Sequence, residues 1–330
     1  MDSYTIIGAG GIGCAVGYAL RAAGSRVLFV DVAAEKIAWA SENGVGVDRH
    51  QSFPAEFRHF SAWQPESGQT ILLCTKCYDN QSVLGKVPTG ATLIPIQNGF
   101  DRQLECCPTH PEGISSFVSE CIPGRTHTRI TRAGKLHLGL RRTQAPDDGT
   151  DTAWGATVRL AEALRKSQLF RTEVVSDILP FKYSKLMYNA AIGPLASVAG
   201  LDNGSLLSLP KARRLFFDLL RENYDILHQA GVQLGKIGPF HPATVNRILK
   251  RRFVSRLLSW PFYPSLRGTY CSMHADLPAG RTEIDNYNGH LIEMSGRTGC
   301  PLNLRIYELV KKMEREHLQP EIARLSQLPA

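Results

Sequence analysis

Tyr4-Thr5-Ile6-Ile7-Gly8-Ala9-Gly10-Gly11-Ile12-Gly13 decides the fold. A run of strand length leads into Gly-x-Gly-x-x-Gly, and Ile12–Ala23 follows with small and apolar residues at helical spacing. Strand, glycine turn and helix in that order form the dinucleotide-binding fingerprint. Gly8 permits the tight turn, Gly10 lets the backbone approach a pyrophosphate, and Gly13 lets the helix pack closely on the strand. Gly11 and Ile12 lie at the helix start, where unpaired N–H groups and the positive end of the helix dipole face the phosphates.

The next strand, Arg26–Val30, closes on Asp31. A carboxylate there accepts from a ribose 2′-hydroxyl and repels a 2′-phosphate, so Asp31 favours NADH, and the next basic residue is Lys36. Apolar runs at Thr70–Cys74 and Thr92–Ile96 continue an alternation that builds a parallel sheet covered on both faces. Ser115–Ile122 and Thr128–Leu140, the latter broken at Ala133-Gly134, are expected to be antiparallel strands closing that sheet. Ala145–Gly149 reads as a loop and Thr152–Lys166 as a helix. From Ser176 helices dominate. Ser176-Asp177 caps one that runs to about Ala199, and Lys211–Gly231, Pro242–Leu258, Thr282–Gly296 and Leu302–His317 follow. The expected fold class is α/β: a Rossmann-type dinucleotide-binding domain at residues 1–175, then an all-helical substrate and catalytic domain at 176–330.

Composition supports a globular chain of two domains. Its 330 residues, 43% apolar and 21% charged, exclude a disordered chain, a collagen and a coiled coil. The net charge of +8 is uneven, +1 before residue 176 and +7 from there on, so an anionic partner is expected in the second half. Eight scattered cysteines make no disulfide scaffold. With no signal peptide and no window near the ~18 apolar residues of a membrane span, a cytoplasmic protein with reduced thiols and no membrane contact is expected. Cys74-Thr-Lys-Cys77 has redox-motif spacing, but its only neighbour is the adjacent pair Cys106-Cys107, a poor second half for zinc. No metal is expected. Arg247, Lys250, Arg251, Arg252 and Arg256 form the densest basic run, without the aromatic interleaving of a nucleic-acid module.

The second half carries the chemistry. Lys185 and Asn189, four residues apart on one helix, share a face. Gln97-Asn98-Gly99 follows a strand, at the sheet end where open α/β sheets present ligands. Ser272-Met273 precedes Gly280-Arg281-Thr282-Glu283-Ile284-Asp285, in which Thr282 is a candidate helix cap. Together with the glycine loop, Thr75-Lys76 and Asn288-Gly289, these residues give the chain a resemblance to the ketopantoate reductases over nearly its full length.

That resemblance implies an NAD(P)H-dependent reductase of a 2-oxo acid, converting 2-dehydropantoate to pantoate in pantothenate biosynthesis. It implies Lys185 as general acid and Glu283 as its partner, which also holds a substrate hydroxyl. Asn98, Asn189 and Ser272 would position substrate in a cleft between the domains, and Lys76 and Asn98 would lie near the cofactor. The residue types suit the task. Hydride arriving at a ketone carbon leaves negative charge on oxygen, which an ammonium stabilises and protonates, while amides donate to oxygen and accept from hydroxyl.

Two positions depart from the family pattern. Gly193 stands where the family carries a further asparagine, and Asp31 where a basic residue commonly favours NADPH, the family default. A dehydrogenase of a different hydroxy acid or sugar alcohol on the same fold therefore stays open, as does a dinucleotide-sensing protein without turnover. A homodimer is compatible with the sequence.

Overall fold

The computed structural model describes residues 2–105, 110–141, 150–250 and 266–329, apart from the side chains of 150 and 151. Cys106-Cys107, the loop at 145–149, the C-terminal part of the helix expected at 242–258 and the arginines at 251, 252 and 256 lie outside them. The chain divides into two compact units. One comprises residues 1–97 and 101–178; the other comprises 98–100 and 179–330.

The first unit is built on a five-stranded parallel sheet of β1 (Ser3–Ile7), β2 (Arg26–Asp31), β4 (Glu56–His59), β5 (Thr70–Leu73) and β6 (Thr92–Pro95), in the order β4-β2-β1-β5-β6. The short strand β3 is Gly46–Val47. Helices α1 (Gly11–Ala22) and α2 (Ala34–Asn43) follow β1 and β2. Register explains the unbroken apolar runs. Ile6, Phe29, Leu72 and Ile94 fill a core on one face, while Ile7, Val30, Ile71 and Leu73 fill a second core on the other. The strand order reverses between β1 and β5, so the loops after these two strands flank the topological switch point, where such sheets bind ligands.

The short helices α3 (Asn80–Leu84) and α4 (Arg102–Glu105) come next, and after them the strands expected to close the sheet meet it, among the described residues, at a single parallel bridge between Ile96 and Gly113. β7 (Pro111–Ser115), β8 (Val118–Cys121), β9 (His127–Arg132), β10 (Lys135–Leu140) and β11 (Arg171–Val175) form two separate three-stranded sheets, β11-β10-β7 and β3-β9-β8. β10 runs antiparallel to β7 but parallel to β11, because helix α5 (Thr150–Lys166) crosses over between β10 and β11.

In the second unit α6 (Leu179–Ala199), α7 (Asn203–Ser208), α8 (Pro210–Gln229), α9 (Pro242–Leu249), α10 (His290–Met294) and α11 (Pro301–Glu316) share one apolar core. The helix expected at Thr282–Gly296 forms over 285–294 and opens as a π-helix. A π-helical turn, Asp285–Gly289, precedes the short α10. Among the described residues no helix is long and apolar enough to cross a membrane.

Candidate active site

In the first unit the glycine loop has the geometry its sequence predicts. Gly8 has φ +95°, and a Cβ there would stand 2.8 Å from the Thr75 nitrogen. A Cβ on Gly13 would fall 1.9 Å from the Gly8 carbonyl oxygen, so only glycine lets α1 start this close to β1. Gly10 differs. Nothing lies within 4 Å of where its Cβ would be, which leaves the open approach a pyrophosphate needs. Gly11 and Ile12 open α1, whose first turn carries no acid and whose N-cap, Gly10, has no side chain to occupy the N–H groups. These features fit a dinucleotide phosphate.

Asp31 ends β2 and is tied to the same loop. Its Oδ2 accepts from Ala9 N–H at 2.7 Å and its Oδ1 from Ala33 N–H at 3.0 Å. Each oxygen keeps a further lone pair for a ribose hydroxyl. Lys36, one turn into α2, donates to the Ala9 carbonyl at 3.1 Å and stands 3.8 Å from Asp31 Oδ2. An acid and a base therefore share this corner, where sequence alone singled out the acid. Lys76 lies half-buried in the loop after β5. That loop is braced by Gln97, which the sequence marked as part of Gln97-Asn98-Gly99, and by Asn80, which it did not mark. Gln97 Nε2 donates to the Thr75 carbonyl and to Asn80 Oδ1, both at 2.8 Å, and Asn80 Nδ2 donates back to Gln97 Oε1 at 3.1 Å and to Asp101 at 2.7 Å. Asn80 sits in a polar stretch that reads as ordinary surface, so no local signal marks it. Cys74 and Cys77 form no metal site, and burial pushes the Cys74 thiol up to about 12. Among the described residues no cluster of His, Cys, Asp or Glu is arranged to hold a metal.

In the second unit Lys185 and Asn189 are both half-buried, one turn apart on α6, among the buried Leu186, Met187, Ala190 and Ala191. Asn98 is half-buried on a segment anchored two residues later. The Phe100 backbone exchanges hydrogen bonds with Asn286, and its ring stacks on Tyr183 and His290 at 4.5 and 4.4 Å. The buried Lys182 ammonium stands 4.9 Å from the centre of the same ring.

Glu283 is 2% exposed. Thr282 beside it accepts from Ile284 N–H at 3.2 Å, as a local cap would. Its own N–H and hydroxyl donate to Glu314 Oε1 at 2.7 and 2.6 Å, which fixes this turn to α11. Ser272 is exposed. Tyr287, which sequence did not single out, joins the two: its hydroxyl donates to Glu283 Oε2 at 3.2 Å and lies 3.2 Å from Ser272 Oγ. Its offset of four from Glu283 was a usable signal. Beyond Asn189 on α6 comes Gly193, whose carbonyl accepts from Cys271 Sγ at 3.3 Å. The Met273 sulfur lies 3.6 Å from where a Gly193 side chain would begin. A thioether faces this turn, and Gly193 has no amide to offer.

Two family models cover most of the chain: "Ketopantoate reductase PanE/ApbA" matches residues 4–143, and "Ketopantoate reductase PanE/ApbA C terminal" matches residues 177–314. The chain belongs to the ketopantoate reductase family. Members of the family resemble it end to end. The 2-dehydropantoate 2-reductase of Archaeoglobus fulgidus is 24% identical over 94% of this chain and 97% of its own length, and that of Halobacterium salinarum is 22% identical over 94% and 98%. Among solved structures, D-mandelate dehydrogenase with NADH and anilino(oxo)acetate superposes with a TM-score of 0.74 at 20% identity, covering 96% of this chain and 99% of that one. The PanE/ApbA family ketopantoate reductase of Ralstonia eutropha JMP134 gives 0.71 at 20% identity over 96% and 99%. These superpositions bear on the fold, which is the expected Rossmann-type α/β unit followed by a helical one. Family membership makes the chain an oxidoreductase.

Proposed function

We propose that this protein reduces 2-dehydropantoate to pantoate with a dihydronicotinamide dinucleotide. What supports the proposal, in a member of this family, is an open glycine cradle at Gly10 in the first unit and, in the second, a half-buried Lys185–Asn189 face on α6. The dinucleotide, when bound, supplies a hydride to the ketone carbon. Gly8, Gly10, Gly11, Ile12 and Gly13 hold its pyrophosphate, Asp31 accepts from its ribose, and Lys76 and Asn98 lie beside it. Lys185 stabilises the negative charge that develops on the substrate oxygen and gives it a proton. Glu283 pairs with Lys185 and holds a substrate hydroxyl, while Asn98, Asn189 and Ser272 orient the acid. The surplus of positive charge from residue 176 onward suits a carboxylate substrate.

Asp31 supports use of NADH, and Lys36 beside it supports acceptance of the 2′-phosphate of NADPH as well. A second reading is favoured by Gly193. The buried Met273 sulfur lies 3.6 Å from where a side chain at 193 would begin, so the contact of the family's asparagine is absent there and a different 2-oxo acid is the second reading. Steady-state oxidation of NADH and NADPH with 2-dehydropantoate and a panel of other 2-oxo acids tests both readings. 2-Dehydropantoate is expected to have the highest kcat/KM. Preference for another 2-oxo acid selects the second reading, and no turnover with any acid removes both.

The protein is proposed to act in the cytoplasm, without nucleic acid or membrane. A homodimer is compatible with one solved relative, the dimeric ketopantoate reductase from Staphylococcus aureus.

A further inference from the structure

Ser272, Tyr287 and Glu283 form a continuous line of hydrogen-bonding oxygens within the helical unit. Either oxygen can donate in the outer link; when Tyr287 donates to Glu283 Oε2, Ser272 donates to Tyr287 and both O–H bonds point inward. Exposure falls along the same direction. Ser272 is at the surface, whereas Tyr287 is 1% and Glu283 2% exposed. Tyr287 sits within the π-helical turn Asp285–Gly289, a local widening of the kind often found at functional positions.

A ketone reductase consumes one proton per turnover, and a half-buried acid partnered by a buried carboxylate must recover it from water. We propose that Tyr287 is the inner link of a proton relay that runs from solvent at Ser272 to Glu283 and from there restores the ammonium of Lys185. This rests on the function proposed above, with Lys185 as the acid. In the step, a solvent proton binds Ser272 Oγ as the Ser272 proton passes to Tyr287 Oη and the Tyr287 proton passes to Glu283 Oε2. Glu283 then gives its proton to the neutral Lys185 amine and returns to carboxylate, and the two hydroxyls rotate back. Each O–H or N–H bond formed is matched by one broken, and no redox partner is involved. Both links are 3.2 Å, longer than the roughly 2.8 Å of a relaxed hydroxyl pair, and proton transfer along them requires that they shorten.

The test compares wild type, Tyr287→Phe, Ser272→Ala and Ser272→Thr in kcat, KM, pH–rate profile and response to added imidazole, with a thermal melt of each. Tyr287→Phe keeps the packed ring and removes the link. Its kcat is expected to fall about tenfold, short of what loss of a direct general acid costs because water partly substitutes. KM should stay within about twofold, as expected when substrate contacts are intact. Imidazole, which carries protons in solution, should restore kcat. Ser272→Ala should be slower and rescued by imidazole, whereas Ser272→Thr, which keeps a hydroxyl, should gain nothing from imidazole. If Tyr287→Phe melts like wild type and turns over like wild type at every pH, the relay is overturned. If Tyr287→Phe does not fold, the exposed Ser272 pair decides: equal rates for Ala and Thr without imidazole rescue overturn it. Failure of the wild type to reduce any 2-oxo acid overturns the functional reading itself, a result separable from either of these.

Discussion

The side-chain amide of Asn288 donates to the carbonyl of Ala190 at 2.9 Å. Ala190 lies four residues before Pro194, which sits inside α6 and has no N–H to give. Asn288 therefore supplies the hydrogen bond that the helix itself cannot, one residue beyond Asn189. Asn288 Nδ2 also donates to Asn303 at 2.8 Å, and Asn303 continues to Asn223, which donates to the Met187 carbonyl of the same helix at 2.9 Å. A buried chain of amides thus sets the carbonyl side of the Lys185 helix. Replacing Asn288 with Ala should cost about 1–3 kcal/mol, the price of a buried acceptor left without its donor. Pro194→Ala restores an N–H at that position, so the double variant should be less destabilised than the sum of the two singles. Urea melts of the four proteins measure that coupling.

The glycine loop separates folding from binding. Gly10→Ala places a methyl in open space, so its stability should stay within about 0.5 kcal/mol of wild type, as for surface substitutions. Its affinity for dinucleotide should fall, because the methyl occupies the approach to the pyrophosphate. Gly13→Ala collides with the Gly8 carbonyl and should lower the melting temperature as well. Fluorescence titration with NADH and thermal melts distinguish the two outcomes.

Cofactor choice should turn on Lys36. Its ammonium offsets the Asp31 carboxylate 3.8 Å away. Lys36→Gln should leave NADH affinity nearly unchanged and weaken NADPH severalfold, since the 2′-phosphate would then face Asp31 without its counter-charge. Asp31→Asn should shift the ratio the other way. Dissociation constants for both dinucleotides, measured at low salt where such charges are least screened, decide it.

Stability should decline on acidification in two stages set by β10 and β11, whose His137 and Glu173 are paired in register. Burial holds the His137 imidazole below its usual value, outweighing the nearby Glu173 that raises it. The unfolded chain therefore binds a proton at pH values where the folded chain does not, and stability drops as pH falls below about 6.5. The Lys135 hydrogen bond at 2.5 Å holds the Glu173 carboxyl below its usual value, so a further loss follows as pH falls below the ordinary carboxylate range. In His137→Gln the first stage should be absent and the second retained, as read from melting temperatures between pH 8 and pH 4.

What was legible in the sequence is what local chain geometry dictates. The turn at Gly8, the close approach at Gly13 and the apolar strands buried on both faces follow from residue type and spacing alone. Partner choice is not local. Nothing in Lys135–Leu140 says that it pairs antiparallel with Pro111–Ser115 and parallel with Arg171–Val175, and the latter, with Arg, Thr and Glu among five residues, reads as a domain boundary. Thr282–Gly296 has helical periodicity and forms a helix over 285–294, but its opening π-helical turn has an extra residue that leaves no compositional mark. Lys185, Asn189 and Glu283 were found through motif order. Asn80, Gln97 and Tyr287 matter through partners 4 to 22 residues distant, and their roles appear only once the chain is folded.

The central claim is that the Lys185 ammonium protonates the reduced carbonyl. Single-turnover oxidation of bound dihydronicotinamide by 2-dehydropantoate, in wild type and Lys185→Met, tests it most directly when dinucleotide affinity is measured on the same samples. A loss of roughly 10²–10⁴ in the rate with unchanged dinucleotide affinity is the predicted result. A Lys185→Met enzyme that turns over at the wild-type rate would contradict the account.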